Sequence, residues 1–184
     1  QRRQQGGALL FIDLDNFKVL NDTMGHSRGD LLLRRVAERL SRSVRKADTV
    51  ARIGGDEFVI VLQALGDDPA AAVGKAQAVA SKVLARMREP FDLDGYQHHC
   101  TASIGVASFN ARHAGVSELL KQADLAMYQS KAGGRNTLRF FDPKMQSAVT
   151  DRVTLEAGLR AALMREEFVL HFQPLVTGTG KVTG

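Results

Sequence analysis

Four acidic side chains fall at two places where strand-forming residues give out. Asp13 and Asp15 close the apolar run ALLFIDL at residues 8 to 14, and Asp56 and Glu57 follow the flexible pair Gly54-Gly55 inside ARIGGDEFVIVL. Taken singly, acids solubilise a strand end and Asp is a common turn residue. If the two edges are neighbours in one sheet, three or four carboxylates converge within a few ångströms, which is strongly repulsive unless a divalent cation sits among them. An all-oxygen cluster with no Cys or His nearby favours Mg²⁺, or Mn²⁺ in its place, because Mg²⁺ keeps waters and completes its shell with substrate phosphates. The constellation points to phosphoryl or nucleotidyl transfer assisted by metal ions.

The elements that must position these acids follow from hydrophobic patterning. Residues 8 to 14 are nearly all apolar, the pattern of a strand buried on both faces. The turn-rich segment NDTMGHSRGD precedes a helix predicted from about Asp30 to Val44, with Leu33, Val36, Ala37, Leu40 and Val44 on one face. Thr49 to Ile53 and Phe58 to Leu62 read as a hairpin around Gly-Gly-Asp-Glu, the glycine pair supplying positive φ angles. GDDP at 66 to 69 starts another helix, carried by Val73, Ala76, Ala80, Val83, Leu84 and Met87. A small hairpin around Asp94-Gly95 leads to the strand HCTASIGVASF, a helix over about 116 to 131 stopped by Gly133-Gly134, and a last strand at 137 to 141. The order β-α-β-β-α-β-α-β contains a split βαβ unit. It predicts an α+β, ferredoxin-like or palm-type sandwich, a mostly antiparallel sheet with helices on one side and GGDEF at a hairpin turn. After Asp142-Pro143 a mostly polar helix is predicted over 144 to 166, and HFQPLV then reads as a new strand.

Composition narrows the class. The chain of 184 residues is 44% hydrophobic and 24% charged, a globular profile with room for one domain and part of a second. No apolar run approaches the roughly 20 residues of a membrane helix, and QRRQQGG lacks the apolar segment of a secretory signal. A single cysteine, Cys100, excludes an internal disulfide framework and fits a reducing compartment. The net charge of +5 is spread along the chain, which favours nucleotide phosphates over a long nucleic acid as the anionic partner. His98, His99 and Cys100 have no second ligand pair for zinc, and no P-loop pattern exists.

GGDEF at 54 to 58, FIDLDNFKVLND at 11 to 22, GHSRGD at 25 to 30 and AMYQSKAGGRN at 126 to 136 together resemble the diguanylate cyclase (GGDEF) family over about residues 6 to 141. The resemblance implies an enzyme of the cytoplasm that condenses two GTP into cyclic di-GMP and two pyrophosphates across a homodimer. It implies metal binding by Asp13, Asp56 and the carbonyl of Leu14, and a catalytic role for Glu57, Asp56 and Lys18. It implies guanine reading by Asn21 and Asp30, and phosphate binding by Lys131, Arg135 and the backbone N–H groups of Asn16, Phe17 and Lys18. A carboxylate can accept from the N1–H and N2–H edge of guanine, and cations or a helix N-terminus suit phosphate. Arg45 and Asp48 match the family's RxxD inhibitory site, where product binds.

From about Arg152 the tail is similar to the opening of an EAL-type cyclic di-GMP phosphodiesterase domain and stops before that family's catalytic residues. The domain reading is therefore 1–141 for the cyclase and 142–184 for a linker helix and the start of an EAL-type domain, with membrane contact only through segments outside this sequence. A rival from another class is a GTP-binding module that no longer catalyses and controls an attached phosphodiesterase. A palm-like polymerase fragment would require a basic duplex-binding surface, of which the sequence shows no sign.

Overall fold

The computed structural model describes residues 6–110, 115–171, 173–175 and 177–182. The chain divides into two compact units, Gln1–Met145 and Gln146–Gly184. In the first, β1 (Gly6–Leu14) is followed by α1 (Phe17–Met24), α2 (His26–Ser41), β2 (Thr49–Gly54), β3 (Glu57–Gly66) and α3 (Pro69–Met87). The hairpin β4 (Phe91–Leu93) and β5 (Tyr96–His98), then β6 (Ala102–Phe109), α4 (Val116–Ala132) and β7 (Leu138–Phe140) complete it. The main sheet has the order β2-β3-β1-β6-β7, so the apolar run that opens the chain becomes a central strand, buried on both faces. Its neighbours β3 and β6 both run antiparallel to it.

The α+β, ferredoxin-like order holds, with one correction. Helices cover both faces of the sheet: Ala8, Leu10, Ile12 and Leu14 pack with α2 and α3, while Leu9 and Phe11 pack with Leu119, Ala123 and Met127 of α4. The alternation along β1 dictates this, since successive side chains point to opposite faces and both sets are apolar. The edge strand β7 pairs parallel to β6, because α4 is a crossover that returns the chain in the same direction.

The segment expected to be turn-rich holds the second half of α1 and the start of α2, separated by Gly25 alone. Helix α2 therefore starts at His26, four residues before the predicted start, and ends at Ser41. At the β2–β3 hairpin only Gly55 has positive φ, at 49°; Gly54 pairs with Glu57 beside a β-bulge, and Arg52 Nε bonds the Gly55 carbonyl at 2.9 Å. Asp68 caps α3 by accepting from Ala70 and Ala71 N–H groups, with Pro69 in the first turn.

Helix α5 (Pro143–Met164) runs from the first unit into the second. Leu155, Leu159, Leu163 and Met164 on it are exposed. The strand expected over HFQPLV is not found at residues 171 and 173–175, which have no regular structure; Phe172 and Val176, like residues 1–5 of the N-terminal reading, lie outside the described residues.

Helix α4 crosses β6 closely at Gly105. A β-carbon there would overlap the Ala123 carbonyl oxygen and the Met127 backbone nitrogen, neither of which can rotate away. Gly105→Ala is expected to destabilise the fold by about 2 kcal/mol or more in urea unfolding, as overpacking against backbone does; a change under about 0.5 kcal/mol would show that α4 can move off the sheet.

Candidate active site

Strand pairing brings the acids together. The β1–β3 register sets Asp13 opposite Glu57, and directly opposed residues of an antiparallel pair share a face. Beside them the Leu14 N–H donates to the Asp56 carbonyl at 3.3 Å, fastening the Gly55-Asp56 turn to the end of β1. Asp13 is 5% exposed, whereas Asp56 and Glu57 are half-buried. Helix α4 lies under this face and sends Lys131 Nζ to within 2.7 Å of Asp13 Oδ2. Burial raises the Asp13 carboxyl above its usual range; the Lys131 hydrogen bond and charge oppose this, Asp56 and Glu57 reinforce it, and the net direction is up.

Asp15 does not join the cluster. Thr101 Oγ1 and Ser103 Oγ each donate to its carboxylate at 2.7 Å, and the Asn136 N–H donates at 3.0 Å. It is a clamp that ties the end of β1 to the approach of β6 and to the loop between α4 and β7. That loop holds two consecutive non-glycine residues with positive φ, Arg135 at 62° and Asn136 at 47°, a costly pair unless fixed from outside. Arg88 supplies a second fixing point, with Nε on Asn136 Oδ1 at 2.9 Å. The exposed Arg135 side chain is thus carried on a rigid corner four residues after Lys131.

The remaining acids fit a hard divalent cation by the chemistry of the donor set. Asp13, Asp56 and Glu57 offer only oxygen, and Lys131 sets one positive charge against three carboxylates. Among the described residues no group of three Asp, Glu, His or Cys side chains is placed to hold a metal ion. Mg²⁺ does not need one, since it is bound by one or two carboxylates with water and phosphate oxygens.

Next to the acids, Asn16 takes a left-handed conformation, φ 60°, and turns the chain into α1 without a side-chain cap. The N–H groups of Asn16, Phe17 and Lys18 have no protein partner among the described residues, while that of Val19 bonds the Asn16 carbonyl. Lys18 is exposed. Free donors at a helix N-terminus form a place for phosphate oxygens.

The crossing of α1 and α2 carries the next two candidate residues, Asn21 and Asp30. Asp30 is exposed in the second turn of α2, one turn later than the sequence suggested, on a cleft of about 330 Å³ shared with Leu33, Arg34, Val50, Arg52 and Phe58. Asn21, on α1, has its side-chain oxygen buried without a hydrogen-bond partner. Arg45 and Asp48 lie elsewhere, before β2, whose other end reaches the acids. Asp48 already accepts from the backbone N–H groups of Arg45 at 3.0 Å and Gln63 at 3.3 Å, so it staples a turn; Arg45 keeps an exposed side chain. The buried thiol of Cys100, pushed up to about 12 by burial and neighbouring acids, is no nucleophile here. Sequence reasoning missed Thr101, Ser103 and Asn136, and the readable signal was two hydroxyl residues, two apart, on the strand that pairs with β1.

Comparison with known proteins agrees with this geometry. The family profile "Diguanylate cyclase, GGDEF domain" matches residues 1–137. The bifunctional diguanylate cyclase/cyclic di-GMP phosphodiesterase MucR of Pseudomonas aeruginosa is 43% identical over 169 residues, covering 92% of this chain and 24% of that protein. The cyclic di-GMP phosphodiesterase NbdA of the same organism is 39% identical over 174 residues, covering 95% of this chain and 22% of that protein. This chain thus spans about a quarter of the length of these relatives. Among solved structures, an EAL/GGDEF domain protein from M. capsulatus is 43% identical with a TM-score of 0.69, covering 78% of this chain and 89% of that one.

A carboxyl whose pKa rises on folding opposes folding when ionised, a penalty that grows as pH climbs from the ordinary value of 3.8 through the folded one. Without divalent ions, Asp13→Asn should therefore raise Tm at pH 7, with the advantage vanishing as pH falls towards 4. A lower Tm at pH 7 would mean that the Lys131 attraction outweighs burial.

Proposed function

We propose that this chain, which belongs to the GGDEF family of diguanylate cyclases, condenses two GTP into cyclic di-GMP with release of two pyrophosphates. The observation that carries the reading is the pairing of Asp13 with Glu57 across β1 and β3, with Asp56 pinned beside them and free α1 N–H groups at the same edge. Asp13, Asp56 and the Leu14 carbonyl would hold Mg²⁺ or Mn²⁺, which when bound neutralises triphosphate and leaving-group charge. Lys18, Lys131, Arg135 and the N–H groups of Asn16, Phe17 and Lys18 orient the phosphates. Asn21 and Asp30 read the guanine, an adenine leaving the Asp30 carboxylate without its donors.

One such site holds one reactant, so two protomers must face each other. Each 3′-hydroxyl attacks the α-phosphorus of the opposite GTP; a new P–O bond forms as the bond to pyrophosphate breaks, and Glu57 accepts the hydroxyl proton. Performed twice, this closes the ring and frees two pyrophosphates. The product then binds at Arg45 and Asp48, where Arg can fork onto guanine O6 and N7, and slows the enzyme. GTP as substrate places the domain in the cytoplasm, and residues 142–184 lead into an EAL-type domain.

One observation favours a second reading. NbdA, 39% identical, is named for phosphodiesterase activity alone. By that analogy this domain would bind GTP without converting it and regulate an attached phosphodiesterase. The presence of Asp13, Asp56, Glu57 and Lys131 together favours chemistry.

With GTP and Mg²⁺, cyclic di-GMP formation should rise with roughly the square of protein concentration while dimers are scarce, and Asp56→Ala/Glu57→Ala should lose at least about a thousand-fold in rate with Tm retained. GTP bound but never converted would establish the regulatory reading instead. In the same assay Arg45→Ala should abolish the slowing by added product; an unchanged inhibition curve would remove the RxxD site.

A further inference from the structure

The α1–α2 crossing is closed by a glycine whose missing side chain is occupied by another residue. At Gly29 a β-carbon would overlap Asn21 Oδ1 and would stand 3.0 Å from Asn21 Cγ and 3.2 Å from Phe17 Cζ. Gly29 lies inside a helix and is buried, and helix interiors disfavour glycine relative to alanine. Local propensity therefore does not explain this residue; the space it leaves does. Asn21 Oδ1 fills that space and makes no hydrogen bond there. A buried carbonyl without a partner is unfavourable, and the side chain is admitted here by the space over Gly29 and beside Phe17 Cζ. With Oδ1 turned in against Gly29, the amide nitrogen is turned out, and no protein acceptor takes it among the described residues.

We infer that Gly29 is a positioning residue for nucleobase reading: the notch left by its absent side chain seats the Asn21 carbonyl and so presents the Asn21 NH₂ as a donor to the O6 acceptor of guanine, which adenine lacks, beside the acceptor that Asp30 presents. The inference rests on the nucleotide reading above and adds how the donor half of the recognition pair is fixed. A donor from Asn21 and an acceptor from Asp30 complement the acceptor and donor edges of guanine, and adenine presents no N1–H or N2–H to Asp30. Any side chain at position 29 would push the amide off this rotamer without touching the ligand itself.

The test is a double-mutant cycle, wild type, Gly29→Ala, Asn21→Ala and the double variant. Binding of α,β-methylene GTP and α,β-methylene ATP is measured by calorimetry with Mg²⁺, and Tm is recorded for each protein. Gly29→Ala is expected to weaken the guanine analogue about ten-fold and leave the adenine analogue within about two-fold, and the double variant is expected to bind like Asn21→Ala alone. Equal losses for both nucleotides, additive losses in the double variant, or unchanged binding in Gly29→Ala would each overturn the inference. If Gly29→Ala does not fold, the double variant decides: recovery of the fold on truncating Asn21 supports the notch, and continued failure refutes it. Wild-type protein that binds neither analogue would instead bring down the nucleotide reading.

Discussion

Like charges are held together here by strand pairing. Asp13 and Glu57 stand opposite each other because β1 and β3 pair in that register, and a slip of one residue would send each β1 side chain into the other core, whose packing it does not match. The two cores, one on each side of β1, therefore lock the register, and the register places the acids. Repulsion among them is offset by one ammonium group, Lys131, from the helix that covers the same face. The same α4 that buries Leu9 and Phe11 carries this counter-charge, so core packing and site electrostatics cannot be altered independently.

Rigidity around the acids comes from a residue that does no chemistry. Asp15 gathers donors from Thr101, Ser103 and Asn136, joining β1, the start of β6 and the corner after α4. Through that corner it fixes where Arg135 begins, and through β6 it braces the strand on the far side of Asp13. A fully satisfied buried carboxylate of this kind holds its neighbours to one geometry, which a site for charged phosphates requires. The left-handed residues at positions 16, 135 and 136 cluster at this same edge. Three of the six non-glycine residues with positive φ among the described residues lie at this edge, where placement takes priority over local preference.

Much of this was legible in the residues. The long apolar run gave the central strand, period-3.6 patterning gave α2, α3 and α4, and the glycine reversal gave the β2–β3 hairpin. Helix α1 escaped because eight residues carry few periodic positions and Asn, Asp and Thr read as turn formers. The placement of α4 on the second face is encoded in the odd positions of β1, but a strand that is apolar throughout does not say which helix covers which side. The role of Asp15 was hidden because its donors lie some ninety to a hundred and twenty residues away, and an acid beside an acid suggests a shared ligand before it suggests separate partners. Gly29 was invisible for a similar reason, since the atom that fills its space belongs to another helix.

Anomalous diffraction from crystals grown with Mn²⁺ and a non-hydrolysable GTP analogue addresses the central claim most directly. The account predicts a manganese peak about 2.1 Å from carboxylate oxygens of Asp13 and Asp56, with the triphosphate over the α1 N-terminus. A nucleotide bound with its metal away from both acids, or Asp13 still paired to Lys131 with no metal beside it, would contradict it.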